Sequence, residues 1–105
     1  MPNPSKTKTA VKSRGKTAPP AAFSIWREIV KEIDRAELLY PSWPTDPVHA
    51  AAVLAEEAGE VVKAVNDAVT KGKSPEDCRK EAIQAAAMAF RFLKNFEQYN
   101  WKVRY

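Results

Sequence analysis

The sequence predicts an all-α fold, a small hairpin or bundle of three to four helices completed by homo-oligomerisation, and three observations lead there. Apolar residues recur at steps of three and four along three long stretches, and no strand-length run alternates apolar with polar residues. Glycine is scarce, at 3 of 105 residues, while alanine is abundant. A chain of this length has room for one domain and one core. About 80 ordered residues bury only a limited share of their surface, so three helices alone are marginally stable and association with further copies is expected.

Residues 1–22 read as a disordered basic tail, and 23–105 as the domain. The tail holds Lys6, Lys8, Lys12, Arg14 and Lys16, no acid and almost no large apolar side chain, so burial cannot offset its ordering entropy. All 13 acidic residues therefore lie in the domain, which is close to neutral although the whole chain carries +4.

The first helix is expected from Ser24 to about Leu39, with Ile25, Trp26, Ile29, Val30, Ile33, Glu37 and Tyr40 on one stripe. Pro41 and Pro44 end it and frame an ordered loop carrying Trp43. Asp46-Pro47 starts the second helix, the Asp as cap and the Pro as first helical residue. Val48, Ala51, Ala52, Ala55, Ala58, Val62, Val65 and Val69 are its expected buried stripe, and Gly72 its left-handed end. Ser74-Pro75-Glu76-Asp77 repeats the start logic for the third helix, with Ala82, Ile83, Ala86, Ala89, Phe90, Leu93 and Phe96 on its apolar side. The short link after Gly72 makes helices two and three an antiparallel hairpin. The last seven residues, Tyr99 to Tyr105, fit a short fourth helix or an aromatic arm equally well.

The chemistry lies in Glu56-Glu57-Ala58-Gly59-Glu60 and in Glu81-Ala82-Ile83-Gln84. Residues three or four apart share a helix face, so Glu57 and Glu60 point together, as do Glu81 and Gln84. Like charges at this spacing cost about 0.2–0.5 kcal/mol per pair, so something else should offset their repulsion. In the antiparallel hairpin these two pairs confront one another and build a cage of hard oxygens. Such a cage suits Mg²⁺, with Mn²⁺ as substitute; zinc would want His or Cys. The competing reading is a solvated acidic face paired with Lys63 and Lys80.

The Glu56-Glu57-x-x-Glu60 run, the Glu81-x-x-Gln84 partner and the hairpin between them resemble the MazG-like all-α nucleoside triphosphate pyrophosphohydrolase superfamily over about residues 23–98. Its pattern is E-E-x-x-E followed by E-x-x-D. The resemblance implies cleavage of a nucleoside triphosphate between the α and β phosphates, giving the monophosphate and pyrophosphate. It implies Glu57, Glu60 and Glu81 as metal ligands, with Glu56 as a further ligand or the base for an activated water. Gln84 stands where the family has Asp; its carbonyl oxygen can coordinate but adds no charge. Purine deoxynucleotides such as dGTP or dATP are the substrates suggested by small members of the superfamily.

For the rest of the substrate, Arg91 follows Gln84 by two helical turns and is expected to meet the distal phosphates, with Lys63 and Lys80 as further partners. His49 and Trp43 are the candidates for base or sugar contact. Cys78 is the only cysteine, which excludes an intrachain disulfide and a multi-Cys zinc site and fits a reducing, cytoplasmic setting. No apolar run approaches the ~20 residues of a membrane span, so no membrane partner is expected. Two alternatives stand beside the enzyme: a catalytically weakened helical binding module marked by Gln84, and a domain brought to nucleic acid by its basic tail.

Overall fold

The computed structural model describes residues 22–104, and all regular secondary structure within that range is helical. Helix α1 runs Ala22–Leu39, α2 Pro47–Lys71 and α3 Pro75–Lys94, followed by a three-residue 3₁₀ turn at Phe96–Gln98. The expected basic tail lies outside the described residues except for Ala22, which opens α1. None of these helices is long and apolar enough to cross a membrane.

The helix ends follow local chemistry. The Asp46 carboxylate accepts from the Val48 amide at 3.0 Å, and the Ser74 hydroxyl accepts from the Glu76 amide at 3.1 Å; Pro47 and Pro75 occupy first-turn positions with no amide to satisfy. Gly72 closes α2 at φ 69°, a left-handed conformation that penalises any side chain, and its amide donates to the Asp67 carbonyl. Three residues separate α2 from α3, and the two form the expected hairpin, with α3 packing against both α2 and α1.

The core sits where α1 crosses α3. Ile33 and Ala36 meet Ala87 and Met88, and Ile29, Trp43, Val53 and Leu54 pack around them. Burying a side chain the size of Ile33 contributes roughly 1.5–3 kcal/mol. The inward face of α2 is therefore Ala50, Val53, Leu54, Glu57, Val61 and Ala64, which corrects the stripe expected from the sequence. Val48, Val62, Val65 and Val69 are all exposed, as are the alanines of that stripe. On α3 the buried residues are Ala87, Met88 and Arg91, whereas the expected Phe90, Leu93 and Phe96 face outward. On α1 only Ile33 of the expected stripe is fully buried; Trp26 is 46% exposed and leans on Phe90, ring centroids 6.3 Å apart. On α2 the most apolar face is thus not the face its neighbours cover in a single copy.

Residues 99–104 form an arm rather than a fourth helix. Tyr99 is buried, and its hydroxyl accepts from Trp43 Nε1 at 2.7 Å while donating to the Phe92 carbonyl at 2.8 Å. The Asn100 amide donates to the Thr45 carbonyl at 3.0 Å, and Arg104 pairs with Asp46 at 2.8 Å. These bonds fasten the proline loop to the arm. Tyr99→Phe leaves the indole N–H and the Phe92 carbonyl without their shared partner and is expected to cost about 1–3 kcal/mol, read as a fall in melting temperature of several degrees. An unchanged melting temperature would show that the clasp contributes nothing.

Candidate functional site

A recess of about 670 Å³ opens between α1, the proline loop and the hairpin. Glu56, Glu57, Gln84, His49, Trp43 and Arg91, all singled out from the sequence, line it, together with Glu32, Arg35, Tyr40 and Ser42, which were not. Helix α2 contributes His49, Glu56 and Glu57, the two glutamates seven and eight residues after the histidine, so one side of a single rod runs the length of the opening. Gln84 enters from α3.

Glu57 is the electrostatic centre. It is half-buried on the inward face of α2, and its Oε1 is shielded from solvent with no hydrogen-bond partner. Burial pushes its carboxyl above the ordinary range, and the charges of Glu81, Glu56, Glu60 and Glu32 push it further the same way. Four carboxylates from three helices therefore act on a fifth.

Glu60 and Glu81 border a separate hollow, shared with Lys63, Asp67, Lys73 and Asp77. Lys63 is 71% exposed and bonds Asp67 at 3.1 Å on its own helix. Lys80 lies away from both, in a charged groove between α1 and α3 where Arg79 bonds Glu28 at 2.6 Å. Glu32 and Gln84 border that groove and the main recess alike. The one cage expected from the sequence is thus divided: Glu57 and Gln84 line one hollow and Glu60 and Glu81 another, while Lys80 shares a groove with Gln84 that Glu57, Glu60 and Glu81 do not line.

Arg91 is held differently from the expectation of a guanidinium reaching for phosphates. It is 3% exposed, donates through Nη2 to the Tyr40 carbonyl at 2.6 Å and lies 4.9 Å from the Trp43 ring centroid. Its Nε is 3.8 Å from Glu37, which also takes Lys94 at 2.8 Å, and makes no hydrogen bond. Arg91 is thereby a floor of the recess and the anchor of the proline loop. Trp43 has its N–H bound by Tyr99 and one ring face occupied by Arg91, which leaves less of it for a base than the sequence suggested.

Glu32 was missed because it lies off the apolar stripe of α1. Its signal in the sequence was its spacing to Arg35, and the two form an ion pair through two hydrogen bonds at 2.7 and 2.9 Å. Only the placement of α1 across the hairpin turns that pair toward Glu57.

The donor set of glutamates and one amide is hard-oxygen chemistry, and the orphaned Glu57 Oε1 is a ready first ligand for a divalent cation. Among the described residues no three His, Cys, Asp or Glu side chains converge closely enough to hold a metal ion. Completing a site around Glu57 takes rotamer changes at glutamates such as Glu56 and Glu60, which are exposed and free to make them.

Comparison of the chain with protein families, with curated proteins and with solved structures returns no match.

Proposed function

We propose that this chain is a Mg²⁺-dependent nucleoside triphosphate pyrophosphohydrolase of the MazG-like type, hydrolysing a nucleoside triphosphate to the monophosphate and pyrophosphate, with purine deoxynucleotides as candidate substrates. One observation carries the reading. A carboxyl with a shielded, unpartnered oxygen, surrounded by four like charges, is costly to a fold and useful to a site that takes a cation.

Glu57, Glu60 and Glu81 would hold Mg²⁺, with the Gln84 carbonyl as a neutral ligand. Bound there, the ion would neutralise phosphate charge and lower the pKa of a water. Glu56, exposed at the rim of the recess, takes the proton from the attacking water as the new P–O bond forms and pyrophosphate departs. Lys63 is free to swing from Asp67 toward the leaving phosphates, and His49 at the far end of the recess meets the sugar or base. Arg91 keeps the loop wall in place rather than touching phosphate directly.

The test is a screen of the common ribo- and deoxyribonucleoside triphosphates with pyrophosphate detection. One or more is expected to turn over, and Glu81→Gln is expected to abolish that turnover; an unchanged rate in the variant ends the assignment. Titration with Mn²⁺ and a non-hydrolysable triphosphate separates the enzyme from the weakened binding module marked by Gln84. The enzyme binds the two together; the module need bind neither.

A further inference from the structure

The Glu32–Arg35 ion pair stands at a junction. Glu32, Arg35 and Gln84 are the three residues that line both the recess of about 670 Å³ and the charged groove between α1 and α3. One turn of α1 therefore borders both hollows, and the neutral member of the donor set shares that border with it.

The pair is built unevenly. The Glu32 side chain is 14% exposed, whereas that of Arg35 is 52% exposed. A carboxylate held largely out of water is thus neutralised by a guanidinium standing half in solvent, and an exposed partner three residues away on the same helix is a weak hold. The Glu28–Arg79 pair nearby differs on both counts. Its partners are almost equally exposed, at 44% and 45%, and it ties α1 to α3 as a brace.

Charge gives the second argument. Gln84 brings an oxygen but no charge, and Glu32 is the one carboxylate that shares both of its hollows. Arg35 engages both Glu32 oxygens, at 2.9 and 2.7 Å, which keeps that carboxylate turned to its own helix. Among the described residues the acidic side chains do not converge on one point. Opening the pair frees one of them to turn.

We propose that the Glu32–Arg35 pair opens onto the substrate, Glu32 becoming a ligand of the divalent cation in place of the charge Gln84 lacks, and Arg35 taking a phosphate oxygen of the same metal–triphosphate complex. The two partners separate, and each meets its counter-charge in a ligand that carries both signs. Neither is left unpaired at the end of the exchange, so the usual penalty for breaking a pair by removing one partner is avoided. A guanidinium fork also matches phosphate oxygens in geometry. The inference rests on the hydrolase reading and extends it to α1, a helix to which that reading gives no part.

Isothermal titration of the full chain tests the exchange, first with Mn²⁺ alone and then with the preformed complex of Mn²⁺ and inorganic tripolyphosphate, which carries the phosphates without a base. Glu32→Gln is expected to weaken Mn²⁺ binding at least about tenfold, since even outer partners of a metal site contribute about 10–100-fold. Arg35→Gln is expected to act with the opposite sign on the metal alone, because it releases Glu32, while binding of the tripolyphosphate complex falls about tenfold. A pair that served only as a brace would move both variants in one direction or neither. Gln84→Glu added to Glu32→Gln is expected to restore Mn²⁺ affinity, the carboxylate now coming from α3. If Glu32→Gln unfolds by circular dichroism, the sign of Arg35→Gln decides alone. Where the parent binds, an unchanged Glu32→Gln, an Arg35→Gln that weakens Mn²⁺ binding, or a double variant without recovery overturns the exchange and leaves the hydrolase reading standing. A parent chain that binds neither Mn²⁺ nor its tripolyphosphate complex overturns both.

Discussion

In metal-free buffer at pH 7, Glu57→Gln is expected to melt several degrees above the parent chain while losing all turnover. Burial and the charges of Glu81, Glu56, Glu60 and Glu32 all disfavour the charged form of the Glu57 carboxyl in the fold. The neutral amide keeps the shape and removes the charge, and relief of a few like-charge contacts amounts to about 1 kcal/mol, or roughly 4–8 °C for a domain of this size. The sign of the pH dependence follows. A carboxyl whose folded pKa is raised favours the fold fully below its ordinary value of 4.5, and that contribution is lost as pH rises through the raised value. The gap between variant and parent should therefore close as pH falls toward 4.5 and hold constant well above it. Saturating Mg²⁺ with a non-hydrolysable triphosphate should reverse the order, since a ligand at about 100 times its Kd stabilises the folded state by about 2.7 kcal/mol and the substitution removes its anchor. A variant less stable than the parent without metal, or one that gains as much from metal, would remove Glu57 from the centre of the site.

Arg91→Ala is expected to produce the largest loss of stability of any single change considered. The guanidinium is buried, bonds the Tyr40 carbonyl, lies over Trp43 and sits near Glu37. Losing a buried, hydrogen-bonded charge of this kind costs about 3–5 kcal/mol, which lowers the melting temperature on the order of 15 °C. Arg91→Lys should recover only part, because an ammonium cannot reproduce the planar fork that spans the carbonyl and the ring. Thermal melting of the protein without substrate makes the distinction. A group whose sole partner was phosphate would leave that melting curve unchanged and raise KM.

Local punctuation made the helix boundaries legible. Asp46-Pro47, Ser74-Pro75 and Gly72 each act within a few residues, and each occupies the position its chemistry requires. The choice of face was not legible on α2. Hydrophobic periodicity points to the most apolar side of a helix, and on α2 that side carries Val48, Val62, Val65 and Val69, whereas the covered side includes Glu57. When the inward face carries the acids of a site, apolarity alone ranks the wrong side first.

The candidate site was legible to the extent that it depends on one helix or one hairpin. Spacing and antiparallel pairing predict one cage of Glu57, Glu60, Glu81 and Gln84, whereas Glu57 and Gln84 line one hollow and Glu60 and Glu81 another. Glu32 was not legible, because its approach to Glu57 depends on where α1 lies, and no local signal records that. Arg91 sits in an apolar Ala-Phe-Arg-Phe-Leu run, and burial was the simpler explanation of that setting. The Tyr40 carbonyl it bonds lies 51 residues earlier in the chain, beyond the reach of any spacing rule.

Tyr99 reaches back to Trp43, Asn100 to Thr45 and Arg104 to Asp46, so a wall translated early is secured by residues translated more than fifty positions later. A nascent polypeptide whose residue 99 is still inside the ribosome can have its helices but not this fastening. Competence of the cleft is consequently acquired only when the arm emerges, and a product of premature termination just before Tyr99 would be a helical protein with an unsecured cleft.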